Sequence, residues 1–191
     1  MNTIELNWIV NNFNQSELQI LIDGKNLIEL MKEFEDGFRG EISKVPAYAG
    51  LNPSYFLPED PNFMRWNGRP MRDIWDDKAV LLICADCRIE GCWPMLAHIQ
   101  LQGEQVIWQD FEQPHRSTKE YFSEEIDSAS DDDLFLAPYS MDEHARKNTG
   151  HSLYYPSIKE YWDYSGFGPF RFDKNQYLSA LEFVEQTRPE E

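Results

Sequence analysis

Basic residues, cysteines and long apolar runs are all scarce in this chain. Seventeen basic residues stand against 34 acidic ones, a formal net charge of −17. A field of that sign repels phosphate backbones and anionic lipid, which argues against nucleic-acid and membrane-surface binding. The longest apolar stretch, Ala79 to Ala85, is far shorter than the roughly 20 residues a membrane-crossing helix needs. The first residues, Met1-Asn-Thr-Ile-Glu-Leu-Asn-Trp8, lack the basic and apolar regions of an export signal. Three cysteines, an odd number, do not suggest a disulfide framework, and the expected compartment is the cytoplasm. Also missing are a glycine-rich phosphate loop, a Gly-x-Ser-x-Gly elbow and a His-Glu-x-x-His pair. The chain therefore carries none of the strong enzyme signatures and reads as non-catalytic.

What is present is enough apolar material for one domain. Of 191 residues, 41% are hydrophobic, and 12 Phe, 9 Tyr and 6 Trp supply large rings for a core. Thr3–Val10 and Glu17–Ile22 read as strands around an Asn-rich turn. Leu27, Leu30, Met31 and Phe34 then recur at helical spacing, predicting a helix over 26–36. Five prolines between Pro46 and Arg72 predict a long ordered loop. Ala79–Cys84 reads as a buried strand. After it, Trp93, Met95, Ala97, Ile99 and Leu101 alternate with more polar residues, predicting a strand that turns at Gly103-Glu104 into a partner through Phe111. Asp173 is placed as the N-cap of a helix over 174–186, with Phe172 and Tyr177 as its hydrophobic staple. Between these elements, Ser117–Lys147 holds nine acidic and three basic residues, as a solvated insertion would. The expectation is a single α+β domain over 1–191: a mainly antiparallel sheet of about five strands, two packed helices, and an acidic insertion at 117–160.

All three cysteines fall within nine residues, spaced C-x2-C-x4-C as Cys84, Cys87 and Cys92. Tetrahedral zinc needs a fourth ligand, and two histidines are candidates. Along a continuous strand His98 would lie about 20 Å from Cys92, too far for bonds of about 2 Å. A two-residue turn at Gly103-Glu104 pairs residues whose numbers sum to 207, which sets His115 opposite Cys92. The candidate metal site is thus Cys84, Cys87, Cys92 and His115, with zinc as the implied ion. Two features oppose it. Arg88 stands where metal knuckles usually carry glycine, and a one-residue change of register would bring Arg116 rather than His115 opposite Cys92. Buried thiols as plain core are the simpler alternative. A redox pair is disfavoured because no helix follows the Cys-x-x-Cys.

A second constellation, Phe111-Glu-Gln-Pro-His115-Arg116, gathers a carboxylate, an imidazole and a guanidinium at a strand end. Glu112, His115 and Arg116 are the candidate ligand-binding residues, with Glu112 and His115 as a conceivable acid/base pair. The alternative is that His115 and Arg116 simply pair with surplus carboxylates. The rings of Tyr48–Trp66 and Tyr154–Phe172 either line a pocket or anchor loops to the sheet.

Three motifs in this order resemble a family of uncharacterised bacterial proteins. They are Gly91-Cys92-Trp93-Pro94, then Phe111-Glu-Gln-Pro-His115-Arg116, then Trp162-x-Tyr164 leading to Gly168-Pro-Phe170-x-Phe172-Asp173 and Tyr177-x-x-Ala180-Leu181. The likeness covers roughly 17–35, 79–116 and 161–184. It implies a small cytoplasmic protein in which 117–160 is an insertion, and it brings no activity, ligand or partner. On charge and size, the expected function is a non-catalytic protein-interaction module like the acidic immunity proteins, with a basic protein as its partner. The zinc or small-molecule site is the other reading.

Overall fold

The computed structural model describes residues 1–38, 47–54, 56, 58–60, 65–66, 78–89, 93–117 and 161–190. The fold is α+β, with every paired strand antiparallel. Strands β1 (Ile4–Val10) and β2 (Ser16–Ile22) pair in full register from Ile4↔Ile22 to Val10↔Ser16, and the two-residue β3 (Lys25–Asn26) completes a three-stranded sheet. Helix α1 (Leu27–Glu35) starts at once, its first turn capped by the Asn26 side chain, which accepts from the Ile28 N–H at 2.9 Å.

The five-stranded sheet is built from β4 (Tyr48–Ala49), β7 (Ala79–Cys84), β8 (Met95–Gln102), β9 (Gln105–Glu112) and β10 (Phe170–Asp173), in the order β10-β9-β8-β7-β4. A short pair, β5 (Pro58–Asp60) with β6 (Arg65–Trp66), forms a two-stranded sheet of its own. The proline-rich span expected to be loop throughout thus contributes three short strands. Helix α2 (Lys174–Gln186) begins where predicted: Asp173 accepts from the Gln176 N–H at 3.0 Å, and the Phe172 and Tyr177 rings lie 5.8 Å apart.

The two sheets are joined at their margins. Asn2 bridges to Phe172, its N–H donating to the Arg171 carbonyl at 2.6 Å, and the Leu18 N–H donates to the Leu51 carbonyl at 2.9 Å. Gly50 permits the second contact, because a Cβ there would sit 2.0 Å from the Leu18 carbonyl oxygen. Helix α2 spans the junction, with Trp8 of β1 donating its indole N–H to the Val184 carbonyl at 2.7 Å. One core results, shared by Ile4, Leu18 and Ile20 from one sheet, Leu81, Met95 and Trp108 from the other, and Met31, Tyr177 and Val184 from the helices.

The β8–β9 hairpin decides what stands opposite what. Pairs from Gln102↔Gln105 to His98↔Gln109 follow the register of a two-residue turn at Gly103-Glu104. Beyond them the register shifts, and Leu96 pairs with Glu112. Asp110, at φ 52, takes up the extra residue in a left-handed conformation that aspartate tolerates. The uniform register that set His115 opposite Cys92 is therefore corrected.

Candidate functional site

The shifted hairpin delivers β9 into a corner where the three sequence motifs meet. Gln113, Pro114, His115 and Arg116 form a tight 3₁₀ turn after β9, with the Gln113 side-chain oxygen accepting from the His115 N–H at 2.6 Å. Proline at the first turn position loses no hydrogen bond there. The Arg116 carbonyl then accepts from the Trp162 N–H at 3.1 Å, which ties the third motif to the second. Trp162 thus lies against Arg116, and the expected insertion at 117–160 falls, beyond Ser117, outside the described residues.

Arg116 is 3% exposed, and its guanidinium carbon lies 4.7 Å from the Trp162 ring centre and 5.5 Å from that of Trp93. Trp93 stacks on His115 at 5.4 Å with an interplanar angle of 7°, and Trp162 stacks on Phe38 at 5.8 Å and 16°. A run of flat groups therefore passes from His115 through Trp93, Arg116 and Trp162 to Phe38. The two contacts of the Arg116 cation with the indoles are worth about 0.5–2 kcal/mol each, the higher end when the cation is desolvated as here.

Of the residues expected to bind a ligand, Arg116 and His115 share this corner. Glu112, also buried, accepts from the Lys78 ammonium and from the Ser117 hydroxyl. That use as a buried ion pair competes with acid/base work alongside His115. Among the described residues the Arg116 guanidinium lies against the two indoles and no carboxylate pairs with it, while the acidic residues of 118–160 lie outside the described residues.

The metal set is less complete. Cys84 is buried at the end of β7, and Cys87 is half-buried in the following turn. Cys92 lies outside the described residues, as does the four-ligand geometry that depends on it. Among the described residues no three His, Cys, Asp or Glu side chains gather as a metal site. Arg88, where a knuckle would carry glycine, adopts the glycine-like φ of 59, closes the turn onto the Cys84 carbonyl at 3.0 Å, and reaches Glu17 at 2.5 Å. Its backbone thus removes one objection to a knuckle without supplying ligands.

Sequence reasoning missed Glu35. It ends the buried stripe Leu27, Met31, Glu35 of α1, and its Oε1 accepts from the Tyr48 and Tyr164 hydroxyls at 2.6 and 2.7 Å. Burial, then the Glu35 charge, pushes the Tyr164 phenol far above its usual range, with the Arg116 charge opposing. The only signal was position: Glu35 falls on the apolar face, at i+4 from Met31.

Comparison with known protein families, curated proteins and solved structures gives no significant match.

Proposed function

We propose that this protein is a non-catalytic recognition module of the immunity-protein kind, meeting a basic protein through its acidic exterior. One observation carries the reading: the charge is sorted. Among the described residues, twelve acidic side chains are exposed against four basic ones, a steeper ratio than the 34 to 17 of the whole sequence. Basic groups are used inside instead, with Lys78 on Glu112, Arg88 on Glu17 and Arg116 between indoles. Opposite surface fields speed encounter and exclude wrong partners more than they add affinity.

The test is cross-linking in the source cells, followed by reconstitution of any captured pair with purified components. The reading expects a 1:1 complex with a protein of high isoelectric point. Its association rate should fall steeply between about 50 and 500 mM salt, where the screening length shrinks severalfold. A neutral or acidic partner, or a rate indifferent to salt, would refute it.

A further inference from the structure

Three buried N–H donors in the Arg116 corner have no acceptor among the described residues: Trp93 Nε1, Gln113 Nε2 and Arg116 Nε. Their residues are 2%, 0% and 3% exposed. A buried donor left without an acceptor costs about 1–3 kcal/mol, more when charged, so three in one corner are not expected from packing alone. Arg116 adjoins the other two residues. Arg116 lies against the Trp93 ring, and its backbone N–H donates to the Gln113 carbonyl at 2.8 Å. The Gln113 amide cannot simply be turned round, because its oxygen is fixed by the His115 N–H at 2.6 Å.

All three orphans are donors, and one carries a positive charge. We propose that this corner is a binding site for a small monocarboxylate, held by Arg116, Gln113 Nε2 and Trp93 Nε1. A carboxylate offers two oxygens with about four acceptor positions, enough for the three groups. It is flat, and it can meet the guanidinium edge-on while the indoles of Trp93 and Trp162 cover the guanidinium. A phosphate is tetrahedral and carries more charge, which the nearby Glu112 carboxylate disfavours. The overall negative field does not bar a single anion, because exposed charges are screened over about 8 Å at physiological salt. This inference does not depend on the acidic-surface reading.

The full-length ¹⁵N-labelled chain, titrated with sodium benzoate, tests it, with sodium chloride and sodium phosphate in matched arms. The Trp93 indole N–H signal, assigned by its loss in Trp93→Phe, should move downfield and saturate with benzoate only. Gln113→Glu keeps the acceptor for the His115 N–H but replaces the donor with a negative charge. It should weaken benzoate binding by about tenfold or more. Should that variant fail to fold, Trp93→Phe, which keeps the ring and loses the N–H, should weaken binding by calorimetry. A Trp93 signal unmoved by benzoate, an equal response to phosphate or chloride, or unchanged affinity in the variants would overturn the proposal.

Discussion

Raising the pH should unfold this protein steeply, through three buried phenols. Tyr48, Tyr164 and Tyr177 are 7%, 5% and 0% exposed. Burial is the first cause holding each phenol well above its usual range, and the Glu35 charge adds to it at Tyr48 and Tyr164. A phenol whose pKa is raised in the folded state contributes stability that is fully present below the unfolded value, about 10, and is lost as pH climbs beyond it. Above that pH the unfolded chain releases a proton that the folded chain keeps. Each such group then lowers stability by about 1.4 kcal/mol per pH unit, and three by about 4. Against a typical total of about 5–15 kcal/mol, unfolding should be complete within about one to four units above pH 10. Urea midpoints at pH 9, 10 and 11 measure the slope, and absorbance near 295 nm counts ionised phenols in the folded state. Tyr177→Phe isolates one contributor. It also removes the acceptor for the Trp108 indole N–H at 3.1 Å, so the starting stability drops, but the alkaline slope should flatten by about a third. Ionisation of all nine tyrosines with native circular dichroism intact would refute the reasoning.

Other perturbations follow from single contacts. Asp173→Ala should cost about 1 kcal/mol in urea denaturation, from the lost cap bond to Gln176, and an unchanged midpoint would remove that role. Lys78→Ala should cost about 3–5 kcal/mol by leaving the buried Glu112 carboxylate without its ammonium, whereas replacing both by apolar residues of similar size should recover most of the loss. Gly50→Ala should abolish the folded protein or lower its melting temperature severely, since the new Cβ meets backbone rather than a movable side chain.

How far the sequence reveals this molecule depends on whether a feature is local. The cap at Asp173, the stripe Leu27–Met31 and the turn at Gly103-Glu104 each rest on neighbours in the chain, and each is present in the structure. The bulge at Asp110 is not legible, because aspartate tolerates the left-handed conformation but nothing in Gln109-Asp110-Phe111 says that the strand needs an extra residue there. That one residue shifts the hairpin register beyond Gln109. Glu35 was likewise hidden: its partners, Tyr48 and Tyr164, lie 13 and 129 residues away. Arg116 was legible as a candidate but not its surroundings. Its environment comes from Trp93 and Trp162, and no spacing rule connects three residues so far apart in the chain. The three motifs were readable as a series, and only the fold makes them a place.

The central structural claim is that these motifs converge on Arg116. Ring currents measure it directly: the Arg116 Nε proton, identified by its loss in Arg116→Lys, sits against the indoles of Trp93 and Trp162. The account predicts a signal displaced from the position of an exposed arginine, protected from exchange, and moved by Trp93→Leu and by Trp162→Leu separately. An Arg116 signal at the exposed position, indifferent to both substitutions, would contradict it.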